Sequence, residues 1–198
     1  MNYLAHAYLS FYQPGILTGN MISDFVKGKQ KFDFAPVIQK GIALHRAIDE
    51  FTDFHPVTQK AKAYFKKEYR LYSGAFVDVV YDHFLANDEK EFADETKLES
   101  FCRETYMTLQ NDTDGLPVKF LQMLPYMQQQ NWLYHYRFKS GIEKGFEGLV
   151  RRAAYLSESS IAYKIFNEHY YELGECYQIF FPLLKNFAFK QLNELNHS

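Results

Sequence analysis

What this chain has little of narrows its identity first. It has two cysteines in 198 residues, Cys102 and Cys176, far apart and without a CxxC pair. That excludes a disulfide framework and a thiolate zinc site, and fits buried thiols in a reducing cytoplasm. No run of 18 apolar residues occurs, so no membrane-spanning helix is expected. The opening residues, "MNYLAHAYLSF", carry no basic leader region, so a cleaved export signal is not expected. Neither charge sign dominates: 22 Lys and Arg face 24 Asp and Glu, a net charge of −2, too weak a field to gather nucleic acid. No convincing two-residue alternation argues for strands. No repeat, low-complexity tract or Pro/Gly/Ser-rich linker divides the chain.

Aromatic residues, by contrast, are plentiful. Nineteen Phe and 16 Tyr bring the aromatic share to 18%, which argues for a packed globule and not a disordered chain. The apolar pattern is helical nearly everywhere. The six prolines are expected where helices begin or end. "PGIL" breaks a first helix, and residues 16 to 27 resume one. Pro36 opens 36 to 54 and Pro56 opens the next segment. "SGAFVDVVYDHFLAND" follows with Ser73 as its N-cap, and "TKLESFCRETYMTLQND" precedes a helix opened by Pro117. "KSGIEKGFEGLVRRAAYL" and one long segment from about 159 to 195 complete the chain. The expectation is one all-α domain over residues 1–198, with about eight helices.

Polar residues intrude on these apolar helices in four places. In "GIALHRAIDEFTDFHP", His45, Asp49 and Asp53 stand four residues apart and form a ladder on one face. The stripe of Leu44, Ile48 and Phe51 lies beside it. In "GAFVDVVYDHFLA", apolar residues occupy almost every side, yet Asp78, Asp82 and His83 are present. A buried carboxylate costs several kcal/mol, on the order of 3–5 if left unpaired, so Asp82 must be paired, protonated or bound to a metal. Asp24 sits among Met21, Ile22, Phe25 and Val26, with Asn20 four residues earlier. His6 is surrounded by Leu4, Tyr8 and Leu9, and taken alone reads as a satisfied core histidine. All these residues fall within the first 83, which suggests a single site. Imidazole with several carboxylates suits Mn²⁺, Fe²⁺, Mg²⁺ or Zn²⁺. On a helical scaffold such an ion activates water for phosphoester hydrolysis.

The motifs "NYLAHAYLS", "TGNMISDFVKG", "GIALHRAIDEFTDFHP" and "VDVVYDHFLA", in that order, resemble the bacterial acyl carrier protein phosphodiesterases. "NWLYHYRFKSGIEKGFEGLVRRA" is similar to the later half of that family. The resemblance implies a distorted HD-domain-like helical bundle. It also implies manganese-dependent hydrolysis of the phosphodiester joining 4′-phosphopantetheine to a serine of holo-acyl carrier protein, leaving the apo form. It implies functional roles for Asp24, His45, Asp49, Asp82 and His83. Where ordinary HD proteins have a His-Asp doublet, this chain has His45-Arg46 and, inverted, Asp82-His83.

On that basis Asp24, His45, Asp82 and His83 are expected to hold a divalent metal, with Asp49 a ligand or a water-orienting base. Arg46 or Lys27 would complement the phosphodiester charge, and Asp53 would orient a ligand or pair with Arg46. His6 is a candidate donor of the proton that the leaving serine oxygen needs. Two other readings compete: an HD-type nucleotide phosphohydrolase, and a non-catalytic helical binding protein. Acyl carrier proteins are strongly acidic, so a docking surface needs cations. "VKGKQK", with Lys27, Lys29 and Lys31, is the preferred stretch, ahead of "KAKAYFKKEYR" and of Arg151 with Arg152. The segment 125 to 138 is expected to wall the arm of the prosthetic group, through Tyr134 or Tyr136.

Overall fold

The computed structural model describes residues 1–111 and 113–197 and is helical throughout, with no strand among those residues. In chain order the helices are α1 (Tyr3–Tyr8), α2 (Pro14–Ile22), α3 (Pro36–Phe54), α4 (Pro56–Tyr69), α5 (Ser73–Ala86), α6 (Glu95–Asn111), α7 (Val118–Gln129), α8 (Trp132–His135), α9 (Lys139–Arg152), α10 (Ser160–Glu168) and α11 (Tyr170–His197). Three short 3-10 turns, Ser23–Phe25, Gly28–Asp33 and Arg70–Tyr72, join them. The all-α expectation holds. The helices number eleven among the described residues because α1 and α8 are short and the final segment breaks at His169. The boundary expected at Asp112 lies outside the described residues.

Proline marks helix starts at three places, where the missing N–H is no loss: Pro14, Pro36 and Pro56 each open a helix. The His55 ring adds a cap to α4 by accepting from the Val57 N–H at 3.3 Å. Pro117 precedes α7. Pro125 and Pro182, however, lie inside α7 and α11. Both are exposed, so the carbonyls freed by the missing N–H groups can turn to water. Ser73 is the first residue of α5, which has no side-chain cap.

α5 is buried on nearly every side, as its composition requires. Phe76 packs edge-on against Phe146 of α9 at 5.1 Å, and Tyr81 stacks on Phe180 of α11 at 5.4 Å. Around this axis, α1 lies against α5 and α2, and α2 lies against α3. The turn from α1 to α2 runs through Phe11 and Tyr12, both left-handed at φ 50° and 59°. Such a conformation costs about 1–2 kcal/mol per non-glycine residue. It is offset by edge-on packing of Phe11 on Phe189 and of Tyr12 on Phe101.

α2 and α3 touch backbone to backbone. A Cβ on Gly19 would sit 2.1 Å from the Ile38 carbonyl oxygen, and one on Gly41 would sit 2.4 Å from that of Ile16. No flexible side chain intervenes, so any methyl group forces the helices apart. Gly41→Ala is expected to destabilise the protein by about 1–3 kcal/mol from overpacking, in spite of the roughly 1 kcal/mol that alanine contributes to helix propensity. Urea unfolding measures this; an unchanged midpoint would mean that the crossing accommodates a methyl group.

Candidate metal centre

Two helices and a 3-10 turn bring imidazole and carboxylate groups to one point. His6 comes from α1, His45 and Asp49 from α3, and Asp24 from the 3-10 turn after α2. Asp24 therefore stands on a turn and not, as the sequence pattern suggested, on a continuous helix over 16 to 27. His45 Nε2 lies 3.0 Å from Asp49 and 3.2 Å from Asp24. His6 Nε2 lies 3.1 Å from the other Asp49 oxygen. The two rings stack, with centroids 3.9 Å apart and planes at 14°. Both histidines are buried, whereas the side chains of Asp49 and Asp24 are 39% and 65% exposed, so the cluster opens to solvent on its carboxylate side.

Asn20, fully buried on α2, governs both rings. Its amide nitrogen donates to the His6 carbonyl at 2.9 Å and to the Ser10 hydroxyl at 3.1 Å. That fixes which way the amide faces and leaves Oδ1 as an acceptor. His6 Nδ1 lies 2.8 Å from this oxygen, and His45 Nδ1 lies 2.7 Å from the Asn20 backbone carbonyl. Both partners only accept, so both Nδ1 atoms carry hydrogen. Both Nε2 atoms then turn towards carboxylates, where a neutral ring would present a lone pair to negative oxygen. A proton or a cation must stand between them.

The charges follow this geometry. Burial acts to lower the His45 pKa, but hydrogen bonds to Asp24 and Asp49 overcome it and hold it at about 9. Burial, reinforced by the neighbouring His45, pushes His6 down to about 4, so the stacked pair carries one proton charge and not two. Burial also acts against the Asp49 carboxylate. The Met1 ammonium at 3.3 Å and the two imidazoles hold it well below the usual range all the same. Hydrogen bonding from His45 lowers Asp24 likewise. One ligand atom each from His6, His45 and Asp49 lies within 4.8 Å of the others. Two borderline nitrogens and hard carboxylate oxygens fit a divalent ion such as Mn²⁺, Fe²⁺, Mg²⁺ or Zn²⁺. The Asn20 contacts supply the outer support that such imidazole ligands require.

The structure thus brings Asp24, His45 and Asp49 together and adds His6. Asp82 and His83 do not join them. Asp82 is fully buried, and its two oxygens accept from the N–H groups of Leu4 at 2.7 Å and Ala5 at 3.2 Å. It caps the start of α1 from across the core, where Asn2 provides no side-chain cap. Burial, partly offset by these bonds, raises its pKa to about 7. His83 points about 100° away on α5. Its Nδ1 donates to the Tyr136 carbonyl at 2.7 Å, and its Nε2 accepts from the Tyr170 hydroxyl at 3.0 Å. Burial pushes it down to about 4, so it is neutral. Arg46 donates to the Val26 carbonyl at 3.0 Å, and Asp53 pairs with Lys62 of α4 at 2.6 Å and not with Arg46. Asn20 and Ser10 complete the centre without having been singled out as site residues. The signal for Asn20 was a polar amide within the apolar run of "TGNMI", where burial demands partners.

The family model described as acyl carrier protein phosphodiesterase matches residues 1–184. An acyl carrier protein phosphodiesterase from Shigella boydii serotype 4 (strain Sb227) is 31% identical over 185 residues, covering 92% of this chain and 94% of that protein. One from Yersinia pestis is 29% identical over 184 residues, covering 93% and 95%. One from Escherichia coli O157:H7 is 31% identical, covering 92% and 94%. No solved structure matches significantly.

His45 generates a pH test on chelator-treated protein. Its folded pKa of about 9 exceeds its ordinary 6.5, so its contribution to stability is fully present below pH 6.5 and is lost as pH rises through 9. The stability difference between wild type and His45→Gln should therefore shrink across that window, by at most about 1.4 kcal/mol per pH unit. Urea midpoints from pH 5 to 10 give the difference directly, and a constant difference would contradict the ion-paired state of His45. Asp82→Ala strips two buried N–H groups of their acceptor and should cost about 1–3 kcal/mol for each. Asp82→Asn keeps one acceptor and should cost less. If the two variants melt alike, the capping role is wrong.

Proposed function

The chain belongs to the acyl carrier protein phosphodiesterase family, and from that premise we propose that it hydrolyses 4′-phosphopantetheine from holo-acyl carrier protein to give the apo form, with a divalent ion, manganese first among them. The observation that carries the metal part is the convergence of His6, His45 and Asp49, with both Nδ1 hydrogens already committed to Asn20. Asp24 joins as the exposed fourth group. An ion held by these residues would supply Lewis-acid activation of water and of a phosphoryl oxygen.

The chain's own residues do the rest. Asn20 orients both imidazoles, and Asp82 holds the start of the short helix that bears His6. His6, neutral at pH 7 with its one hydrogen given to Asn20, is better suited to be a ligand than the donor of the serine proton. Asp49, ionised and partly exposed, can act as a ligand or hold an attacking water as base. Lys27 and Lys29 stand exposed and Lys31 half-buried at and beside the turn Gly28–Asp33, just after Asp24, where an acidic carrier would meet them on reaching the cluster. A holo-acyl carrier protein substrate supports the reading of a cytoplasmic enzyme acting beside fatty acid biosynthesis. No helix among the described residues is long and apolar enough to cross a membrane.

The test is mass spectrometry of holo-carrier incubated with the purified protein and Mn²⁺. The expected result is a mass loss equal to one phosphopantetheine, abolished by chelation and reduced by about 100-fold or more in folded His45→Ala and Asp49→Ala. Holo-carrier unchanged in mass with Mn²⁺, Mg²⁺, Fe²⁺ and Zn²⁺ alike would refute the proposal.

A further inference from the structure

A cavity of about 590 Å³ lies between the start of α1, α8 with the turn that follows it, and one face of α9. That is within the range of roughly 300–1,000 Å³ typical of small-molecule sites. Asn2 and Tyr3 form one side, Trp132 and Tyr136 the second. On α9 the lining includes Gly141 and Gly145, packed closely on the His135 carbonyl and on Val79, and Gly148, whose Cβ position is open, and it ends at Arg151 and Arg152. From Gly141 to Arg152 this face runs about 16 Å at the helical rise of 1.5 Å per residue.

The cationic end has no partner. A Cβ on Gly148 would find the Arg152 guanidinium at 3.6 Å and that of Arg151 at 3.9 Å, so both cations lie over the gap that the glycine leaves. Neither makes a hydrogen bond or ion pair among the described residues, whereas nearby Arg137 is paired with Glu95 at 2.8 Å. The C-terminus of α9 favours positive charge there. It does not require two like charges to share one cavity wall, which is the arrangement that a bound anion stabilises. The remaining walls are amphipathic. Asn2 donates to the Tyr136 hydroxyl at 2.9 Å and keeps its amide oxygen as an acceptor beside the rings.

The cavity also adjoins the metal centre. Tyr3 and His6 stand three residues apart on α1, neighbours on one face. The Tyr3 hydroxyl, raised to about 12 chiefly by burial, is close enough to feel both the Arg152 cation and the Asp24 carboxylate.

We propose that this cavity seats the pantetheine arm of the substrate, the phosphate-bearing end lying towards Arg151 and Arg152 and the amide-bearing chain along the glycine face of α9. This assignment rests on the phosphodiesterase reading for its ligand. An uncharged chain with amides, a hydroxyl and one anionic end matches a long cavity walled by Tyr3, Trp132 and Tyr136, with Lys144 and Glu147 along α9 and the two arginines at one end.

Calorimetric titration of 4′-phosphopantetheine itself tests the assignment. Gly148→Leu fills open space in a helix, so it should melt no lower than wild type while weakening the ligand at least tenfold. The double variant Arg151→Gln/Arg152→Gln, both surface changes, should weaken 4′-phosphopantetheine tenfold or more and phosphate-free pantetheine less than twofold. Equal affinity in wild type and Gly148→Leu, or no binding to wild type at millimolar concentrations, overturns the cavity assignment; equal losses of both ligands in the arginine variant overturn the orientation. Turnover of holo-carrier, measured in parallel, separates this from the phosphodiesterase reading. Binding that is sensitive to Gly148 without turnover removes that reading and leaves the cavity as an arm site. Turnover with a KM indifferent to Gly148→Leu removes the cavity and leaves the reading.

Discussion

The backbone contact between Gly19 and Gly41 is the constraint on which the centre depends. It draws α2 and α3 closer than any side chain would allow. Asn20 follows Gly19 directly, and His45 stands one turn after Gly41, so the crossing delivers an amide and an imidazole to the same point. The crossing sets the Asn20 carbonyl 2.7 Å from His45 Nδ1. The His6 ring is then positioned by the same residue, through a different oxygen. Both histidines owe their orientation to one crossing.

The electrostatics depend on that arrangement in turn. Two imidazoles stacked at 3.9 Å cannot both be charged without strong repulsion, and the carboxylates favour the proton on His45. Their Nε2 atoms face the open, acidic side, so a divalent ion bound there would compete with the proton for one location. Met1 packs its ammonium between Asp49 and Asp78, at 3.3 and 3.1 Å, and balances part of the negative charge from behind. The centre thus has one cation on its buried flank and solvent on its acidic one.

The sequence made some of this legible and hid the rest for definite reasons. Spacing on one helix is readable, and the four-residue step from His45 to Asp49 yields the contact it suggests. Burial is readable too. The pattern around Asp82 required a partner, a proton or a metal, and the partner is a pair of backbone N–H groups 77 and 78 residues away. No local pattern reveals such a pairing. His83 was hidden in the same way: its partners, Tyr136 in the turn after α8 and Tyr170 at the start of α11, dock from parts of the chain not encoded nearby. His6 looked like a core histidine because the residues it meets, Asn20, His45 and Asp49, are all on other elements. Of the two rings expected to wall the arm, Tyr136 lines the cavity beside α9, whereas Tyr134 turns outward to Glu95. The break at His169 and the internal Pro125 and Pro182 show the limit of reading proline as the main helix boundary.

The tethers of α1 have a kinetic consequence. A six-residue helix is far too short to persist alone. This one is held at its start by Asp82 on α5, and just past its end by Phe11 and Tyr12, whose rings grip α11 and α6. It therefore has no private opening motion, because releasing either end disturbs the core helix or the packing of two distant ones. The amide protons of α1 should exchange with solvent only when those helices open together, as part of one cooperative unit. The most fragile piece of secondary structure at the centre is in this way among its least mobile.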